Sequence, residues 1–163
     1  MNKIFEFETY LSISQTKFGI YLFDIKSMKN LYGKEINFEK TNFIARINHN
    51  KEIFVIGSNG KLIPNNSQAS DLPYIFGKPE IQEFLKFKQI VDQSRFSFDE
   101  IDSLYFFPSK RWDIKLKNNI LLKLSNNSTA ASLDNAYKFL KDKNIGKFIT
   151  IDIRIDNQII LNE

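Results

Sequence analysis

The alternation near the end of the chain leaves the least freedom. In "KFITIDIRI", Ile149, Ile151, Ile153 and Ile155 occupy every second position, with Thr150, Asp152 and Arg154 between them. A period of two belongs to a strand. It places the isoleucines on one face and the polar side chains on the other, so one face is core and the other wet. Such a strand needs a sheet around it and a second layer over its apolar face. After a turn at Asp156-Asn157, "QIILN" reads as the last strand and an edge, bonded to "TIDIRI" on one side and open on the other.

Sheet and layer are both legible upstream. "TNFIARIN" and "KEIFVIG" are β-rich runs around the polar "HNK", and Asn59-Gly60 suits a tight turn before "KLI", which makes an antiparallel meander. Pro73 forces an extended residue before it, and Pro79 suits the first position of a helix running to about Gln93, where Ile81, Phe84, Leu85, Ile90 and Val91 recur at helical spacing. "IDSLYFFPS", "RWDIKLK" and "NILLKLS" read as three strands, the last two joined as a hairpin at Lys117-Asn118-Asn119. Leu133, Ala136, Tyr137 and Leu140 mark a second helix over residues 130–141, capped by Ser128 or Thr129. The expected fold is α+β: a mixed or antiparallel sheet with two amphipathic helices on one face.

The first third is less regular. Residues 5–13 read as a strand. Residues 25–32, "IKSMKNLY", read as a short helix with Ile25, Met28 and Leu31 on one face, stopped by Gly33. No stretch of the first 26 residues approaches the length of a membrane span or has a signal-peptide layout.

Composition removes several chemistries. The chain has 163 residues, 42% of them hydrophobic, which is enough for a real core; its 16 Phe and 6 Tyr suit strands and sheet-to-helix packing better than a coiled coil. It has no cysteine, so disulfides, thiolate catalysis and Cys-ligated metals are excluded. The net charge of +4 is spread along the chain without a basic run, which argues against phosphate tracking. The single histidine, His49, lies in a polar turn; Asp99, Glu100 and Asp102 cluster before a strand; Gly57 and Gly60 open no helix and so make no phosphate cradle. No catalytic residue, cofactor-binding residue or metal ligand is assigned, and no cofactor is expected. Trp112, flanked by Lys110, Arg111 and Asp113, reads either as an interface anchor or as a strand residue at the edge of the core.

The order of these pieces resembles a known family. "EKTNFIARINHNKEIFVIGSNGKLI", "LPYIFGK" before a helix, "RWDIKLKNNILLKL", a second helix and "IDIRIDNQI" together look like the extracytoplasmic β-domain of the cell-division protein family FtsQ/DivIB, over about residues 39–163. Residues 18–32 resemble the helical stretch of the POTRA domain that precedes it in that family, and residues 36–40 resemble its final strand. The resemblance implies a division at 1–39, a shortened POTRA-like segment, and 40–163, the β-domain. It places a further POTRA strand between Gly33 and Asn37 and a membrane helix before Met1, neither of which this sequence contains.

By the same resemblance the chain is a non-catalytic scaffold at the periplasmic face of the inner membrane, at the division septum. It would join FtsB and FtsL to the septal peptidoglycan machinery, with FtsB meeting the C-terminal region. Partner-binding residues expected on this basis are Lys110, Arg111, Trp112, Arg154, Ile155, Asn157, Gln158, Ile159, Ile160 and Leu161. A POTRA-type module of outer-membrane assembly, a soluble enzyme with an unrecognised site, and a nucleic-acid binder are the alternatives. The segment before about Asn37 has few elements to bury apolar surface, so amide hydrogen exchange should label residues 5–32 well before residues 111–124. Equal rates would mean that this segment carries a core of its own.

Overall fold

The computed structural model describes residues 15–16, 19–20, 22–25, 38–65, 71–141, 150–155 and 158–162. Short strands β1 (Gln15–Thr16) and β2 (Gly19–Ile20) pair with each other, and β3 (Leu22–Ile25) pairs antiparallel with β4 (Phe38–Thr41). Ile25 therefore closes a strand, where the sequence pattern had it opening a helix; its backbone is committed to Phe38 across the ladder. The other residues of that expected helix, 26–32, and the expected strand 5–13 lie outside the described residues.

Everything that follows builds one sheet. Its strands are β5 (Phe43–His49), β6 (Glu52–Gly57), β7 (Leu62–Pro64), β8 (Tyr74–Phe76), β9 (Ile101–Phe106), β10 (Trp112–Leu116), β11 (Leu121–Leu124), β12 (Thr150–Ile153) and β13 (Ile160–Asn162). They are ordered β13-β12-β11-β10-β9-β8-β5-β6-β7. β8 is parallel to β5 and β9, and β11 is parallel to β12; the remaining neighbours are antiparallel, so the sheet is mixed.

Two helices make the crossovers: α1 (Ile81–Asp92) joins β8 to β9, and α2 (Ala130–Leu140) joins β11 to β12. Both crossovers start from strands of the same direction and step the same way along the sheet. With the right-handed crossover that twisted strands impose, both helices must then lie on one face. Phe96, just after α1, meets Tyr137 of α2 edge to face at 5.2 Å, and the Arg95 N–H donates to Asp134 Oδ1 at 2.7 Å.

Local sequence explains where the helices start. Thr129 caps α2: its Oγ1 accepts from Ser132 N at 3.3 Å, while Ser132 Oγ accepts from Thr129 N at 2.9 Å. α1 begins two residues after Pro79, with Glu80 rather than the proline at its cap and the Glu80 N–H donating to Glu83 Oε2 at 3.3 Å.

The core lies between sheet and helices. Phe84, Phe87 and Val91 of α1 and Leu133 and Ala136 of α2 are buried against Ile47, Ile75, Leu104, Ile114, Leu122 and Ile151. Trp112 belongs to this core, 6% exposed, stacked on Phe87 at 4.8 Å and tilted against Phe106 at 4.8 Å. Its ring is consumed by packing, so it holds β10 to α1 and has no face left to anchor a partner.

The loop from β8 to α1 turns at Gly77, with φ +100°, where a Cβ would collide with the carbonyl oxygen of Phe106. Gly60 also has φ +79°, but its nearest neighbour would be the flexible Leu85 Cδ1 at 3.2 Å. Gly77→Ala combines backbone strain with a clash against a backbone that cannot yield and should cost about 2–4 kcal/mol; Gly60→Ala should cost about 1–2 kcal/mol. Urea unfolding of the two variants checks the ranking, and equal losses would contradict this account of Gly77.

Candidate functional site

The two edges of the sheet differ. Both edge strands are three residues long, but at one end β7 closes with Pro64, which has no N–H to offer. At the other end β13 pairs with β12 on one side only, through Thr150↔Asn162, Ile151↔Leu161 and Asp152↔Ile160, and carries neither proline nor lysine. Its outward backbone groups are the ones an incoming strand would use.

A trough of about 400 Å³ runs beside this edge on the helix side. α2 contributes Ser132, Asn135, Lys138 and Phe139 to it; the chain end contributes Ile153, Ile155, Gln158, Ile159 and Leu161. Phe139 is 43% exposed and Ile155 is 55% exposed. The isoleucine alternation thus leaves the core at its last member: β12 ends at Ile153, and Ile155 lines the trough. On the opposite, helix-free side of the edge, Ile160 is 44% exposed.

The helix-free face carries charge where the alternation required polar side chains, yet two of those groups are buried. Asp113, Lys123 and Asp152 are consecutive cross-strand partners on β10, β11 and β12. Arg111 donates through Nε to Asp113 Oδ1 at 3.2 Å, and Asp113 Oδ1 also accepts from the Leu124 N–H at 3.1 Å. Arg154 donates through Nε to both oxygens of Asp152 at 2.9 Å. Asp113 and Asp152 are buried, so the face expected to be wet is instead sealed over its carboxylates by guanidinium groups.

The two aspartates respond oppositely. The Arg154 guanidinium holds the Asp152 carboxyl below its ordinary range, although burial opposes this. For Asp113 burial dominates and pushes the carboxyl up, against the Leu124 N–H and the Arg111 charge.

Of the expected partner-binding residues, Arg154, Ile155, Gln158, Ile159, Ile160 and Leu161 come together at the β13 edge; Asn157 lies outside the described residues. Arg111 lies two strands in from β12. It belongs to the same charged face, because the Asp113 it pairs with also feels the charge of Arg154. Lys110 is turned the other way: with φ +62° in the β9–β10 turn, its ammonium meets Glu83 of α1 at 3.0 Å and lowers that carboxyl. Phe139, Lys123 and Asp113 were not singled out from the sequence. The Arg-x-Asp spacing of Arg111 and Asp113 mirrors Asp152 and Arg154 and was the available signal; Phe139 lies off the Leu133, Ala136, Tyr137 and Leu140 stripe of α2, which was the signal that it faces outward. His49, expected in the turn, instead closes β5 opposite Glu52 and is exposed there, and among the described residues no cluster of His, Asp and Glu is placed to hold a metal ion.

For Asp152 the folded pKa is depressed, so its contribution is present above the unfolded value and is lost as pH falls through the folded one. Asp152→Asn should cost about 1–2 kcal/mol near neutrality, and the gap to the parent should close on acidification. For Asp113 the folded pKa is raised, so ionisation costs the fold above it; the stability of Asp113→Asn relative to the parent should rise as pH rises through the acid range. Denaturation midpoints measured across that range check both signs. Parallel pH profiles for the two variants would refute the assignment.

Residues 45–154 match the family described as cell division protein FtsQ/DivIB, C-terminal, from Ala45 in β5 to Arg154 just past β12. No curated protein matches the chain. Among solved structures, the major extracytoplasmic domain of the trans isomer of the cell division protein DivIB from Geobacillus stearothermophilus is similar at 13% identity, over 60% of this chain and 85% of that one, with a TM-score of 0.41. The family match spans more than half of the chain, most of the nine-stranded sheet and both helices. The chain belongs to the cell division protein FtsQ/DivIB C-terminal family.

Proposed function

We propose that this protein is a non-catalytic scaffold of the bacterial division complex that captures a partner by strand addition at β13. The observation that carries the reading is the edge Ile160–Asn162, free of proline and lysine, with a trough beside it that sets Phe139, Ile155, Ile159 and Leu161 among polar side chains. A strand laid along β13 extends the ladder through its backbone and alternates its side chains between two unlike surfaces. Those on the helix side enter the trough at Phe139, Ile155, Ile159 and Leu161. Those on the other side lie near Arg154, which favours acidic residues. Arg111 offers the same outer N–H donors above Asp113, and Lys110, exposed but bound to Glu83, acts only at a distance. Trp112 acts by holding β10 in place.

The partner implied by the family resemblance is FtsB, with FtsL beside it, on the extracytoplasmic side of the membrane at the septum, linking both to peptidoglycan synthesis. In this reading residues 40–163 are the binding domain, and residues 1–39 are a shortened POTRA-like segment. Among the described residues no helix is long and apolar enough to cross a membrane.

Successive N–H groups of a strand point to opposite sides. Of Ile160→Pro and Leu161→Pro, one therefore removes a donor to β12 and the other removes the donor offered to the partner. The second should weaken FtsB binding by about 1–3 kcal/mol while costing the isolated fold less. Arg154→Glu should slow association, and because Arg154 also holds Asp152 its melting temperature must be read alongside. Calorimetry with FtsB on the folded variants decides: unchanged affinity in all three would mean that β13 serves only its own sheet.

A further inference from the structure

The helix-free face continues away from β13 into a second patch that the edge reading does not use. Arg46 of β5 and Tyr74 of β8 are register partners, as are Tyr74 and Ser103 of β9, and Ser103 and Lys115 of β10. In the next row Phe76 and Tyr105 are partners, their rings stacked at 4.9 Å, with Tyr74 meeting Phe76 edge to face at 4.7 Å. Phe76 remains 46% exposed.

The charges here are unbalanced. Arg111 and Arg154 are taken up by Asp113 and Asp152, and Lys123 stands between those two carboxylates. Asp102, exposed beside the bulge opposite Lys115, accepts from Ser103 Oγ at 3.0 Å. Arg46 gives its Nε to the Leu72 carbonyl at 2.9 Å and rests over Tyr74 at 5.9 Å. Among the described residues, no carboxylate forms an ion pair with Arg46 or Lys115.

We infer that this patch is a second protein-docking surface, for an extended acidic segment whose two carboxylates meet Arg46 and Lys115 and whose intervening apolar side chain covers Phe76 and Tyr105. Three strand spacings separate the two cations, about 14 Å. An extended chain covers that distance in about four residues, with the first, third and fifth side chains on one side. The fitting pattern is acidic-x-apolar-x-acidic. A helix of the same spacing would bring its carboxylates within one turn, about half the required distance. The choice of an acidic peptide rests on this charge and spacing, and it stands without the β13 reading.

The probe is the peptide Glu-Thr-Ile-Thr-Glu, titrated into the isotope-labelled full chain and followed by amide chemical shifts. Shifts are expected at Arg46, Tyr74, Phe76, Tyr105 and Lys115, and should persist in Ile160→Pro. The peptide with glutamine in place of both glutamates should bind about tenfold or more weakly, as should the parent peptide to Lys115→Glu. Phe76→Ser, read together with its melting curve, should lose affinity while staying folded. Shifts confined to residues 160–162, equal binding of the glutamine peptide, or equally tight binding of polyphosphate or anionic phospholipid vesicles would overturn the proposal.

Discussion

One row of side chains holds this fold in register. Ile47, Ile75, Leu104, Ile114, Leu122, Ile151 and Leu161 are successive cross-strand partners from β5 to β13, and the first six are buried under the helices. Each such side chain removed from water contributes roughly 1.5–3 kcal/mol. Because the side-chain period is two, slipping any strand by one residue would turn its member of the row out to the helix-free face. Register, helix placement and the position of the last strand are therefore one constraint. β13 is on the sheet because Leu161 completes the row, and it is the edge because α2 extends no further.

That ending accounts for the character of the site. Where the helix layer stops, the row emerges into a trough of mixed lining, and Phe139 and Ile155 are left half out of the core. On the other face the same strands carry buried aspartates, each sealed by an arginine two residues away in sequence. A guanidinium that covers a buried carboxylate still presents its outer N–H groups to solvent, so these pairs serve stability and leave hydrogen-bond donors on the surface. Family membership gives the chain its place in cell division; the proposed docking of a partner strand rests on the difference between the two sheet edges.

Much of this was legible in the sequence because the period of two is hard to counterfeit. Ile151 and Ile153 of "TIDIRI", the hairpin at Lys117-Asn118-Asn119 and the cap before Ala130 appear where the pattern puts them, while Ile155 falls past the strand. What escaped was set by neighbours that the local sequence does not name. Three-residue β8 has no pattern of its own and is a strand because β5 and β9 lie on either side of it. Ile25 has the spacing of a helix residue but is held by Phe38. Trp112 and Lys110 stand two apart in a motif that suggests an interface, yet one is buried under α1 and the other, at positive φ, is bound to Glu83. Asp152 and Arg154, two apart on one strand, leave the same face and can pair, as they do; what the spacing does not show is that the carboxylate is buried under that pair.

The central claim is that β13 ends the protein's own sheet and begins a shared one. The most direct measurement is interchain nuclear Overhauser contacts between isotope-labelled protein and unlabelled FtsB. The account predicts backbone contacts of strand-pairing range from FtsB to Ile160, Leu161 and Asn162, together with side-chain contacts from FtsB to Phe139. Binding that leaves residues 160–162 without a backbone neighbour, with contacts elsewhere on the protein, would contradict it.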